Sequence, residues 1–340
     1  MLNANARKNF TASGDAKAEE LLEKVLSEMK ESFSATDLCV VLGGSYGRGD
    51  GGVRQDQGNG ILYNDLDFFV FARKKCDNAG ILLKEIAGKY EKELKVDVDF
   101  SRIMSIKDIK NNARRLMMQE LKRGYRLVAG EDLLAEYLPE FSADKLPFSE
   151  ACRLLLNRGM GLLLANEKIN NASDDTDFIL RNINKAILGA CDAVLIAEKK
   201  YKWSIEERLQ TVNASDLPCD YKKFYAMAVK FKKSPHRTMN CDLKKLLADV
   251  CYMFTECMER ICGKNCTALY LHCMNANELS LANLIKYSVK LRTCPMKNWQ
   301  YHTMPAVAAL LPDLYSKLQN MSAAGDISSS KLYRHWLIFN

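Results

Sequence analysis

Three short stretches carry side chains whose types and spacing could do chemistry: Gly43-Gly44-Ser45-Tyr46-Gly47-Arg48-Gly49, then Asp65-Leu66-Asp67, then Val96-Asp97-Val98-Asp99-Phe100. Residues two apart on a strand project from one face, so Asp65 and Asp67 stand together while Leu66 points away. Phe68, Phe69, Val70 and Phe71 continue that strand as an apolar run that calls for burial. Neighbouring carboxylates on an interior strand repel one another and resist ionisation unless a cation neutralises them. A hard divalent metal is their natural partner. Asp97 and Asp99 also share a face, and if their strand lies beside that of Asp65, one of them completes a carboxylate triad. Such a triad would hold two Mg²⁺ ions, with Mn²⁺ as a substitute. Two metals about 3.5–4 Å apart stabilise both the attacking and the leaving oxygen of an in-line displacement at phosphorus.

The glycine turn suits the same chemistry. Gly43 and Gly44 let the backbone approach a phosphate closely, the Ser45 hydroxyl and the following amides can donate to phosphate oxygens, and Arg48 adds positive charge at the mouth. Alone, such a turn is equally an ordinary strand-to-helix connection. Its place ahead of two acidic strands gives it meaning.

These residues need a sheet to hold them. Residues 15–33 have the periodicity of an amphipathic helix, Leu38–Leu42 reads as a buried strand, and 65–71 as a second strand. The glycine-rich segment 49–60 between them reads as a mobile loop over the site. Residues 82–94 fit a helix, 94–100 a half-buried strand of period two, 105–123 another helix, and 125–128 a short strand before the turn at 129–132. Alternating strands and helices imply an α/β (α+β) domain with a small mixed sheet over residues 1–147. From Phe148 onward helical periodicity recurs at 149–168, 174–199, 203–212, 219–233, 240–262, 276–291 and 305–321, with prolines near the gaps. Residues 148–340 are therefore expected to form an all-α helical bundle domain.

Composition bounds the remaining readings. A chain of 340 residues with 48% hydrophobic and 27% charged residues is globular, and its net charge of +7 favours anionic ligands without the dense basic stripe of a dedicated DNA binder. No stretch approaches roughly 18 uninterrupted apolar residues, and the first fifteen lack the apolar core of a secretory signal. The expectation is a soluble, cytoplasmic protein with no membrane partner. The twelve cysteines are scattered and read as buried thiols. The cluster of Cys251, Cys257, Cys262, Cys266 and Cys273 beside His272 follows no familiar zinc spacing.

The pattern of Gly-Gly-Ser, an acidic-hydrophobic-acidic strand and a later acidic strand resembles the polymerase-β-like nucleotidyltransferase superfamily over roughly residues 36–132. The stretch Leu121 to Gly130 is similar to the strand and turn that follow the third acid in many members. The resemblance implies that Gly44 and Ser45 hold the triphosphate of a nucleoside triphosphate and that Asp65 and Asp67 hold the metals. It also implies a third acid that helps activate the acceptor hydroxyl. That acid is Asp99 or Asp97, with Asp99 preferred because Phe100 and Ser101 resemble the usual strand end. One departure is that Asp65 lies 20 positions after Ser45, more than the usual spacing. The implied activity is transfer of a nucleoside monophosphate, AMP from ATP, to a hydroxyl with release of pyrophosphate. A small molecule, a protein side chain, an RNA end or a second nucleotide would each serve as acceptor, the last making a second-messenger synthase. The rival is a non-catalytic module that senses a nucleotide or docks a partner.

The helical half resembles the helical domains that follow the catalytic domain in small nucleotidyltransferases. Arg181 and Lys185 lie four apart and share a helix face from which both could bind phosphates, set against a solvated face with local ion pairs. Arg153, Asn157 and Arg158 share part of another face. Tyr201, Trp203 and Phe224 could stack on a base, although aromatics at helical spacing more often belong to a core.

Overall fold

The computed structural model describes residues 9–56, 59–74, 76, 79–236, 242–266, 308, 310–321 and 326–339. The chain divides into two compact units, one of residues 1–141 with 230–235, the other of 142–229 with 236–340.

The first unit is built on β1 (Leu38–Leu42), five apolar residues that are all buried. It pairs antiparallel with β4 (Leu66–Ala72) on one side and with β7 (Arg126–Ala129) on the other. β5 (Val98–Phe100) and β6 (Met104–Ser105) both run parallel to β4, which makes the sheet mixed. A parallel neighbour requires a crossover, supplied by helix α3 (Ala79–Leu94), which buries Leu83, Ile86, Tyr90 and Leu94 along one stripe. Helix α1 (Ala16–Ser32) joins it on the same side through Ala18, Leu22, Val25 and Met29, and its first turn is capped by the Asp15 carboxylate. Leu66, Phe68, Val70 and Ala72 of β4 point into this layer. The opposite parity, Phe69 and Phe71, packs with Cys39 and Val41 against α4 (Ile106–Asn111), α5 (Leu116–Arg123) and α6 (Leu133–Tyr137). Asp65 and Asp67 share that second parity.

Three local readings change. The segment taken for a mobile loop holds a two-stranded antiparallel hairpin, β2 (Val53–Asp56) with β3 (Asn59–Leu62), in which Val53 faces Leu62 and both are buried. Glycine-rich composition hides those two anchors. The helix expected over 105–123 breaks into α4 and α5, with Asn112 capping the first and Arg115 opening the second. The third strand begins at Val98, since α3 runs through Leu94 and Lys95 turns the chain at φ 57°.

The second unit is helical: α7 (Phe148–Asn170), α8 (Thr176–Ala197), α9 (Ile205–Ala214), α10 (Cys219–Lys233, of which 230–233 fall in the first unit) and α11 (Leu243–Cys262), followed by Leu311–Gln319 and Lys331–Phe339. The helix expected at 276–291 lies outside the described residues, as do Cys273 and His272. Cys251, Cys257, Cys262 and Cys266 are buried free thiols, and the nine described cysteines form no disulfide. Among the described residues no helix is long and apolar enough to cross a membrane.

One polar node sits inside this unit. Asp192 of α8 pairs with the Arg208 guanidinium of α9 at 3.2 Å and accepts a hydrogen bond from the Tyr225 hydroxyl of α10 at 2.8 Å. Arg208 also donates to the Tyr201 hydroxyl and to the carbonyls of Lys202 and Trp203, each at 3.0 Å. Tyr201, a candidate base-stacking ring, is thus a core residue, 3% exposed. Removing one partner of a buried ion pair strands the other charge. Asp192→Ala should therefore lower unfolding stability by about 3–5 kcal/mol in urea titrations. A loss below about 1 kcal/mol would mean that Arg208 is satisfied by its oxygen partners alone.

Candidate active site

Register places the acids. Asp67 on β4 stands directly opposite Asp99 on β5, between the pairs Leu66 with Val98 and Phe68 with Phe100. On the buried face Phe68 and Phe100 stack with ring centroids 4.9 Å apart, which resists a slip of the register. The strand ends are pinned by Leu66 N–H donating to the Asp97 carbonyl at 2.9 Å and Ser101 N–H donating to the Phe68 carbonyl at 2.8 Å. The Ser101 hydroxyl accepts from Val70 N–H at 3.0 Å. Asp65 precedes Asp67 by two and shares its side of the sheet.

Asp99 is held above the ordinary carboxylate range, first by partial burial, then by repulsion from Asp65, Asp97 and Glu91. Ionising it works against the fold, a cost that a bound cation would offset. Among the described residues no three His, Cys, Asp or Glu side chains stand close enough to enclose a metal ion. The donor set itself, oxygen only and gathered on one side of two adjacent strands, suits a hard divalent cation.

The glycine turn meets this group directly. Gly43 N–H donates to the Asp67 carbonyl at 2.8 Å, tying the end of β1 to β4. Gly44 opens the five-residue helix α2 (Gly44–Arg48) at φ 59°, a left-handed conformation that glycine alone adopts without strain. A methyl group on Gly44 would also fall 2.0 Å from Asp67 Oδ2. The Asp67 carboxylate therefore lies against the backbone of the turn, with Ser45 as the next residue of α2. Gly43 is equally crowded, since a Cβ there would lie 2.7 Å from the Phe69 ring and from Leu121.

Tyr46, to which the sequence pattern assigns no role, holds the other end of the site. It is 1% exposed, and its hydroxyl donates to the Gly52 carbonyl at 2.9 Å while accepting from Tyr63 N–H at 3.0 Å and Asn64 N–H at 3.3 Å. Burial pushes its pKa up to about 12, so it is protonated at neutral pH. The Asn64 side chain closes the same junction by accepting from Gly52 N–H at 2.7 Å. These bonds pin the base of the hairpin immediately before Asp65. A lone tyrosine inside a glycine-rich turn gives no such signal, because its partners lie 6 to 18 residues away.

The remaining candidates are placed as follows. Arg48 ends α2 and faces Asp50 at 3.7 Å and Glu120 at 3.6 Å. Asp97 is exposed and lies just outside β5. Arg181 and Lys185 lie on α8 of the other unit, where Arg181 donates to Asp177 one turn earlier at 2.9 Å. On the same unit Arg153 faces Glu150 at 3.3 Å, and Asn157 accepts from the Trp336 indole at 3.0 Å.

Two substitutions test these contacts. Gly44→Ala should cost about 1–3 kcal/mol through its left-handed backbone and should dislodge the Asp67 carboxylate. Wild-type stability in thermal unfolding would show that the turn and the acid are not in contact. Tyr46→Phe should cost about 1–3 kcal/mol, because the Gly52 carbonyl and the two amides lose their partner inside the fold. Calorimetric unfolding would measure it.

No curated protein matches the chain. Residues 4–96 match the model of the family described as putative nucleotidyltransferase DUF294. That match spans the glycine turn, Asp65 and Asp67, and it is consistent with a polymerase-β-like nucleotidyltransferase domain in the first unit.

Proposed function

We propose that the first unit catalyses metal-dependent transfer of a nucleoside monophosphate to a hydroxyl acceptor with release of pyrophosphate. ATP is the first donor to test. The observation that carries this reading is the contact of the Asp67 carboxylate with the Gly44 turn, opposite Asp99 in register. A phosphate held at the turn would lie beside the acids rather than remote from them.

Asp65 and Asp67 would hold both ions of a Mg²⁺ pair and Asp99 one of them. When bound, Mg²⁺ neutralises charge on the attacking and leaving oxygens and on the phosphates. The Gly44 amide and the Ser45 hydroxyl bind the β- and γ-phosphates, leaving the α-phosphorus toward the carboxylates. The acceptor oxygen forms its bond to the α-phosphorus as the bond to pyrophosphate breaks. The acceptor proton goes to the Asp99 carboxylate. Tyr46 keeps Asp65 in place by anchoring the junction before it.

Asp67→Asn should reduce Mg²⁺-dependent pyrophosphate release at least about 10³-fold, with thermal unfolding close to wild type. The assay uses ATP, GTP, CTP and UTP in turn, each with and without candidate acceptors. Turnover unchanged in the variant would sink the assignment. Nucleotide binding without Mg²⁺ dependence and without turnover, seen by calorimetry, would favour a sensing module.

A further inference from the structure

Between the end of α4 and the segment after α6 in the first unit lies a groove of about 510 Å³. Its walls are the end of α4 with the turn after it, carrying Lys110, Asn111 and Arg114, and the segment after α6, carrying Tyr137, Pro139 and Phe141. Residues 106–126 hold seven basic side chains against two acidic ones, so this short stretch concentrates positive charge in a chain of net charge +7. Lys107, Lys110 and Arg114 are exposed, and among the described residues none forms an ion pair, although the Glu136 carboxylate acts on Lys110 at longer range. Instead Lys110 lies over the Tyr137 ring at 5.2 Å and Arg114 over the Phe141 ring at 5.3 Å. Arg73 also covers Tyr137, but its charge is met by Glu131 and Glu136.

The groove is preformed. Gln119, fully buried, donates to the Ala113 carbonyl at 2.7 Å and the Pro139 carbonyl at 2.9 Å, and accepts from Phe141 N–H at 2.8 Å and Arg123 at 2.9 Å. Arg123 donates to the Phe141 carbonyl at 2.6 Å. One side chain thus clamps both walls from below, and a buried glutamine fully satisfied in this way fixes their spacing.

We propose that this groove binds a single-stranded nucleic-acid segment. Exposed cations interleaved with aromatic rings are what a sugar-phosphate backbone with unstacked bases requires: phosphates on Lys110 and Arg114, bases against Tyr137 and Phe141, the Asn111 amide on a base edge. The cations now resting on the rings move onto phosphates and expose the ring faces for stacking. An acidic peptide fits less well. The main chain of both walls is already engaged by Gln119 and Arg123, and Pro139 has no N–H, so an extended peptide finds no backbone pairing there.

The test is fluorescence anisotropy of a short labelled oligouridylate and oligoadenylate with the full chain, over a range of salt. The double variant Lys110→Gln/Arg114→Gln, both exposed and outside the acid site, should weaken binding about tenfold or more and lower the slope of log affinity against log salt by about 1.4, at about 0.7 per phosphate contact. Phe141→Leu should weaken binding about fivefold or more with the slope unchanged, and thermal unfolding checks that the fold persists. The proposal is overturned if the double variant binds like wild type, or if an oligoglutamate peptide competes as well as the oligonucleotide. Asp67→Asn should bind the oligonucleotide normally, which separates this groove from the transfer reaction.

Discussion

The distance between Gly44 and Asp67 governs the first unit. A left-handed glycine brings the turn back over the sheet, and only the missing Cβ leaves room for the carboxylate beneath it. Asp67 lies near the start of β4 and Gly44 two residues past β1, and the two strands pair antiparallel over five registered positions, so the β1–β4 ladder sets their separation. Register on the far side of β4 then decides which acid of the next strand joins them. The Phe68–Phe100 stack beneath the acids holds that register, so an apolar contact on one face of the sheet determines a polar arrangement on the other.

The two faces have divided labour. One parity of β4 closes the core under α1 and α3, and the other carries Asp65 and Asp67 before it turns apolar at Phe69 and Phe71. Charge is thereby confined to the end of the sheet where α2 begins. Buried polar side chains elsewhere serve geometry: Gln119 fixes two segments of the first unit, and Asp192 joins three helices of the second. Each is satisfied from several directions, the condition under which a buried polar group adds definition without a large penalty.

Strong local periodicity made much of this fold readable from sequence. The apolar run of β1, the flanks of β4, the stripe of α3 and the helical second half each follow a pattern that survives tertiary packing. What escaped reading depends on partners far along the chain. Val53 and Leu62 become strand residues only because they pair with each other and reach the core, and the glycines around them mask the signal. Residues 94–97 alternate like a strand, yet Leu94 completes a helical stripe and Lys95 ends it. Among the acids, the Asp65–Leu66–Asp67 spacing was legible, whereas the pairing of Asp67 with Asp99 is a choice of parallel neighbour that no local pattern encodes. Tyr46 was invisible for the same reason, because its hydroxyl is useful only after residues 52 and 63 have been brought to it.

That hydroxyl also separates two kinds of sequence freedom. Gly52 and Tyr63 are held together by their own backbone bond at 3.1 Å as well as by Tyr46, so the hairpin begins and ends at one stapled point. A change in the length of chain between them alters a loop-closure entropy that grows only slowly with length, while the staple fixes where the chain starts toward Asp65. The length of chain between residues 52 and 63 is thus free to vary among relatives, or under an engineer's hand, while the spacing of the acids stays constant.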